Sequence, residues 1–327
     1  ISRVLAKKVC AGPPLPSGDF KLGGPRKRSA DFGGLPKIYN VFFSQHARDF
    51  AGVCLRKECL VDFCLDFIYN APFMSLEITY IGHASTLIEW DGIRILTDPV
   101  FSSRVLCFNR LEPMKFNPAN LGTLNAILIS HAHYDHLDLF SYKFIPGDVP
   151  ILVPEGMAKA ISPFVNNPVI ELATWGRYTL APGFEISAVP AQHKGGRFLF
   201  PLRYATCHGY VLSKGKENVY FAGDTGYRSD FKELAQLFKI KLALLPFAHI
   251  YSNWYSGKNH MNFEESLQAW KDLGEPDLIP IHWGTFFRGQ AYKNRLAYLL
   301  KDRALQDKRL KSKLHLLEPG ERHAFTS

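Results

Sequence analysis

The chain has 327 residues, 46% of them hydrophobic and 21% charged, a balance that excludes a disordered or fibrous protein and leaves room for a sizeable core. No apolar run approaches the length needed to span a bilayer. The formal net charge of +9 admits an anionic partner, but it reads equally well as a solubilising surface.

Residues 1–73 hold Pro/Gly-rich stretches, a basic cluster (Arg26-Lys27-Arg28) and a Cys- and Phe-rich patch from Cys54 to Phe67, without sustained periodicity. Such a segment buries little surface against its ordering entropy, so it is expected to be an irregular, disordered or loosely attached N-terminal extension. Within it, Leu60 to Tyr69 suits a short helix or a strand equally. The regular domain is expected over 74–327, starting at Met74. The six cysteines form no C-x-x-C pair and read as scattered thiols of a reducing compartment, which implies a cytoplasmic location. The basic cluster reads first as a solvated run, with peripheral contact to anionic lipid as the alternative.

From Met74 the pattern becomes regular. Strands are predicted over 77–81 and 85–90, then a hairpin turn at Asp91-Gly92 and a returning strand over 94–97. Further short apolar runs over 126–130, 151–153, 184–189, 210–212, 219–222, 242–246 and 278–281 are bounded by Gly, Pro, Asn or Asp. Helical stretches are predicted over 141–145, 157–164, 230–238, 263–273 and 290–306. Hairpin strands followed by alternating strands and helices imply an α/β protein, a sandwich of two mixed sheets flanked by helices in an αββα order.

The strongest chemical signal is His131-Ala132-His133-Tyr134-Asp135-His136, directly after the apolar run 126–130. Three imidazoles and a carboxylate in six residues suit a metal site better than core packing, because neutral imidazole and carboxylate are the preferred non-thiolate zinc ligands. The loop can turn His131 and His133 toward one point and Asp135 and His136 toward another. A second metal needs ligands from other strand ends, and three residues have that placement: His193, Asp224 and His282. Each alone would pass for an ordinary loop residue; their shared position after an apolar strand makes them candidate ligands. Asp98, before Pro99, is either a turn-initiating residue or a carboxylate that accepts the second N–H of a ligating histidine.

These residues lie in motifs that resemble the metallo-β-lactamase superfamily over about Leu76 to Phe287. The branch they resemble most contains N-acyl-phosphatidylethanolamine-hydrolysing phospholipase D and the ascorbate-phosphate lactonases. The motifs are Gly82-His83-Ala84-Ser85, Leu96 to Phe101, Ser130 to Leu137, Pro190-Ala191-Gln192-His193, Tyr220 to Tyr227, His260-Met261-Asn262 with Glu264-Glu265, and Ile281 to Phe286. The resemblance implies that His131, His133 and His193 hold one zinc, that Asp135, His136 and His282 hold another, and that Asp224 bridges them. Iron or manganese in place of zinc is the alternative. Asp135 would also orient a bridging hydroxide, Asp98 would support a ligating histidine, and His260 would bind substrate or protonate the leaving group. His260 also reads as a loop residue ahead of a capping box formed by Asn262 and Glu265. His83 reads first as a buried structural histidine, with a place lining the cleft as the alternative, and His249 carries no implied ligand role.

Residues 194–197 and 247–255 are expected to form the substrate rim, with 198–204, Arg197 and Arg203 as an apolar and basic wall. The expected function is binuclear zinc-dependent hydrolysis of a small or lipid phosphodiester. Alternatives are a lactonase or esterase of a phosphorylated small molecule, a nuclease, and a metal-binding module without catalysis. Nucleic acid is disfavoured, because no interleaved basic and aromatic strip is present.

Overall fold

The computed structural model describes residues 75–197, 206–251 and 257–325; the expectations for 1–73, for 198–204 with Arg203 and for 252–255 of the rim fall outside the described residues. Strands β1 (Leu76–Gly82), β2 (Ser85–Trp90) and β3 (Ile93–Thr97) form an antiparallel meander. The turn between β2 and β3 has positive φ at both Asp91 (46°) and Gly92 (83°), the two-residue geometry that matches strand twist and favours Asp-Gly. A short ribbon follows, β4 (Arg104–Val105) paired with β5 (Phe108–Asn109).

The chain then returns beside β3 as β6 (Ala126–Leu128) and continues through β7 (Ile151–Pro154) and β8 (Val169–Leu172), all parallel. With β15 (Arg322–Phe325) against β1, the first sheet runs β15-β1-β2-β3-β6-β7-β8. The second sheet is built from β9 (Arg177–Ala181), β10 (Phe184–Pro190), β11 (His208–Lys214), β12 (Glu217–Phe221), β13 (Ile240–Pro246) and β14 (Asp277–Ile281). Its order is β14-β13-β12-β11-β10-β9, antiparallel from β9 to β12 and parallel from β12 to β14. Both sheets are mixed, as the sequence implies.

Side-chain alternation decides what each face meets. In β6 and β7, Ala126, Leu128 and Leu152 belong to the core shared with the second sheet, whereas Ile127, Ile151 and Val153 point to the opposite face. Parallel strands buried on both faces must be apolar throughout. The outer face is covered by Leu121, Leu137, Tyr142, Met157 and Ile161. Between the sheets, Trp90 meets Phe184 edge to face at 5.5 Å between ring centroids, a favoured aromatic geometry. Helices α2 (Phe231–Phe238), α3 (Phe263–Asp272) and α4 (Gly289–Gln306) bury Phe231, Leu234, Phe263, Leu267, Trp270, Leu296 and Leu300 in the same core.

Several elements differ from expectation. The strand expected over 126–130 stops at Leu128, because Ser130 gives its N–H to the Asp98 carboxylate instead of to a neighbouring strand. The helix expected over 141–145 is a 3₁₀ segment, Leu139–Phe144, whose Asp138 side chain caps the Phe140 N–H. The one expected over 157–164 is a single turn, α1 (Ala158–Ile161), followed by a 3₁₀ turn containing Pro163, which has no N–H to extend the helix.

Candidate metal centre

Five strand ends deliver the site: β3 brings Asp98, β6 the His131–His136 loop, β10 His193, β12 Asp224 and β14 His282. Asp224 Oδ2 lies at the middle. His282 Nε2 is 3.1 Å from it, His136 Nε2 3.3 Å, His260 Nδ1 3.6 Å, His131 Nε2 3.9 Å and His193 Nε2 4.0 Å. On one side, His133 Nδ1 is 2.9 Å from His131 Nε2 and 3.1 Å from His193 Nε2. On the other, Asp135 Oδ2 is 3.7 Å from His282 Nε2 and 3.9 Å from His136 Nε2. The structure thus brings all seven candidate ligands together in two groups around one carboxylate, with His260 beside it.

Hydrogen bonds on the far side of the rings fix which nitrogen faces inward. His193 Nδ1 lies 2.8 Å from the Asn259 carbonyl oxygen, which can only accept, so Nδ1 carries the proton and Nε2 turns a lone pair to the centre. The Ser130 hydroxyl donates to Asp98 Oδ2 at 2.6 Å and therefore accepts from His131 Nδ1 at 2.9 Å. His136 Nδ1 donates to Asp98 Oδ2 at 2.6 Å. Three imidazoles consequently direct lone pairs into the same space. Such partners on the outer side of ligating histidines fix tautomer and orientation.

Those lone pairs need a cation. His136 Nε2, His282 Nε2, His260 Nδ1 and Asp224 Oδ1 are buried without hydrogen-bond partners among the described residues, a costly state for polar atoms. Burial lowers the pKa of His131, His133 and His193, for His133 to about 4, and repulsion between neighbouring imidazoles adds to the effect at His131 and His133. They are therefore neutral at pH 7, the form that binds metal. Although burial would raise it, His282, His136 and His260 hold the Asp224 carboxyl well below the usual range. Imidazoles facing one another at 2.9–3.1 Å with ionised carboxylates beside them fit divalent cations.

Arg197 departs from its sequence reading, while His83 and His260 each combine two readings that the sequence left open. His83 is buried as expected, but it also lines the site: its Nε2 donates to Asp135 Oδ2 at 2.8 Å and its ring lies 4.0 Å from that of His282. Only the Gly-His-Ala-Ser motif hinted at this, since the two partners are 52 residues apart. Arg197 leaves the expected rim and faces the histidine-rich loop. It donates to the carbonyls of Ala132 (2.5 Å) and Leu137 and lies 4.1 Å from the Tyr134 ring centroid. His260 does precede a complete Asn262–Glu265 capping box, yet its ring belongs to the cluster. Asp98 is fully buried, with φ at +34°.

A cavity of about 430 Å³ opens onto Asp135, Asp224, His133 and His282, and Phe108, Leu111, Phe286, Phe287 and Tyr292 give it an apolar wall. Of the expected rim, Phe247, Ala248 and His249 line it.

Residues 93–283 match the β-lactamase superfamily domain. An uncharacterized protein of Mycobacterium tuberculosis is 35% identical over 233 residues, covering 67% of this chain and 61% of that protein. The mitochondrial N-acyl-phosphatidylethanolamine-hydrolyzing phospholipase D of Saccharomyces cerevisiae is 34% identical over 227 residues, 65% of this chain and 48% of the yeast protein. The chain therefore spans about half to three fifths of the length of these relatives. A metallo hydrolase from Ignicoccus hospitalis shares the fold with a TM-score of 0.59 at 24% identity, covering 77% of this chain and 99% of that one.

Proposed function

Since this chain belongs to the β-lactamase superfamily, we propose that it is a metal-dependent hydrolase that holds two zinc ions and cleaves a phosphodiester. The observation that carries the reading is the division of the donors into two groups about Asp224: His131, His133 and His193 in one, Asp135, His136 and His282 in the other. Two histidine-and-carboxylate half-sites sharing one carboxylate suit a pair of divalent cations. Iron or manganese would fit the same donors. When bound, the pair supplies Lewis acidity and makes a water acidic enough to lose its proton near neutral pH.

The chain's own residues do the rest. His83 fixes Asp135 by donating to Oδ2, which leaves the other carboxylate oxygen to orient an attacking water. His260 stands beside Asp224 and lines the cavity, and because burial lowers its pKa to about 3 the neutral ring is placed to hold the substrate. The aromatic wall keeps bulk water away and suits an apolar substituent on the substrate. Preference for a phosphodiester over other substrates draws support from the yeast relative, an N-acyl-phosphatidylethanolamine-hydrolyzing phospholipase D. No helix of the described residues is long and apolar enough to cross a membrane.

The test is metal analysis followed by assays with a chromogenic phosphodiester, an aryl ester, a lactone and RNA. Two zinc ions per chain and turnover of the phosphodiester are expected. Turnover of the lactone or ester alone would replace the phosphodiesterase reading with a lactonase or esterase, and of RNA alone with a nuclease. Full metal loading without turnover of any substrate would leave a binding module.

A further inference from the structure

The wall of the same cavity holds a guanidinium that the hydrolytic chemistry leaves unused. Arg288 lines it together with Asp224, His260 and His282. Two contacts hold the side chain. One Nη lies 2.7 Å from His249 Nδ1, and because a guanidinium only donates, that nitrogen accepts. The guanidinium carbon also lies 5.1 Å from the centroid of the Tyr292 ring, whose hydroxyl is itself fixed by the Ile250 N–H at 2.6 Å. His249 connects this prop to the metal cluster, its ring being 5.4 Å from that of His260.

No carboxylate pairs with Arg288 among the described residues. Lys293, on the same wall, is the contrast: Glu112 at 2.5 Å and Glu318 at 2.7 Å neutralise it. Of the five N–H donors of a guanidinium, Arg288 commits one to His249. It also immediately precedes the 18-residue helix α4, whose first turn has no side-chain cap and no acidic residue. The Gly289 N–H is taken by the Phe287 carbonyl at 2.6 Å, but the helix terminus without a side-chain cap still adds positive potential on the side where Arg288 and Gly289 meet the cavity.

We propose that Arg288, held by His249 and Tyr292, is an anion subsite of the active cavity that takes anionic oxygens of the substrate. This rests on the hydrolase reading above. The planar fork fits two oxygens of a phosphate or a carboxylate. Those oxygens belong either to the scissile phosphodiester or to a second anionic group carried elsewhere on the substrate.

Calorimetric titration of the metal-loaded chain with inorganic phosphate tests the subsite, with kinetics on bis(p-nitrophenyl) phosphate, p-nitrophenyl butyrate and mono-p-nitrophenyl glutarate. Arg288→Met should weaken phosphate binding by at least about tenfold, with Arg288→Lys in between, and metal content per chain unchanged. A KM increase on the phosphodiester alone assigns the scissile group. A fall of about tenfold in the glutarate-to-butyrate ratio of kcat/KM assigns a second anion. Phosphate binding as tight in Arg288→Met as in the parent, or no phosphate binding by the parent, overturns the subsite. If no substrate turns over while Arg288→Met still loses phosphate, the hydrolase reading fails and the subsite stands.

Discussion

Asp98 commits both carboxylate oxygens to other groups: Oδ1 accepts the Ser130 N–H at 2.7 Å, and Oδ2 accepts both the Ser130 hydroxyl and His136 Nδ1 at 2.6 Å. An Asn there can still accept from His136 Nδ1 with its one oxygen, but its NH₂ then faces the Ser130 N–H, so the histidine keeps its tautomer while its acceptor becomes neutral and less firmly held. Asp98→Asn is therefore expected to keep most of its metal while turnover falls about 10- to 100-fold. Metal per chain measured beside kcat checks this; kinetics like the parent's would make Asp98 a turn residue only. His131→Ala and Asp224→Ala should lose metal and turnover together, and normal metal occupancy in either would show a wrong assignment. At this scale the sequence was informative where residue types are chemically restrictive, as in His131 to His136. It was silent on the Asn259 carbonyl that orients His193, because any residue supplies a carbonyl. Arg288 was also missed: an arginine before a helix has no pattern, and its meaning arises only from the cavity it reaches.

Among the elements, the loops carry the tightest steric demands. Gly223 has φ +58°, and a Cβ there would lie 2.4 Å from Ser130 Cβ and 2.8 Å from its hydroxyl. The glycine lets β12 pass close enough to the β6 loop for Asp224 to reach the histidines. Gly223→Ala should cost about 1–3 kcal/mol through the unfavourable backbone alone, more with the clash, and reduce metal content; denaturant unfolding would read the loss. Arg197 is the second tie. The Gly195 carbonyl accepts the Ala132 N–H at 2.8 Å while Arg197 holds the Ala132 and Leu137 carbonyls, so the segment after His193 clamps the loop bearing His131, His133 and His136. Arg197→Met should weaken zinc affinity roughly 10- to 100-fold, and Arg197→Lys, with fewer donors, should recover only part of it. Equal affinities in competition with a chelator would remove the clamp. The apolar runs 77–81, 85–90, 184–189 and 242–246 were legible as strands because burial of one or both faces imprints its period on them. Edge strands β9 and β15 were not, since Arg177–Ala181 and Arg322–Phe325 are largely uncovered and mix polar with apolar residues.

For the whole domain, the placement of the cluster ties metal to stability. Asp98 and the His131–His136 loop follow strands of the first sheet, whereas His193, Asp224 and His282 follow strands of the second. Cations seated among them would cross-link the two halves of the sandwich by short, directional bonds, and the unfolded chain offers no such arrangement. The two-sheet class could be inferred from the strand order in sequence; this coupling could not, because it depends on which sheet each strand joins. By linkage, a ligand that binds only the folded state stabilises it by about 4 kcal/mol when present at a thousand times its Kd. For a domain of this size each kcal/mol moves the midpoint by about 2–4 °C. Removing the metal should thus lower Tm by on the order of 10 °C, and adding zinc back should restore it. His282→Ala should shrink the difference between the metal-loaded and stripped forms, because it takes away one of the bonds from the second sheet. A scan with verified metal removal and no change in Tm would show that the two sheets hold together without it. The buried His136 Nε2, His282 Nε2 and His260 Nδ1, which have no hydrogen-bond partner among the described residues, argue for the opposite result: without a cation they stay unsatisfied in the interior, and the stripped form must bear that cost.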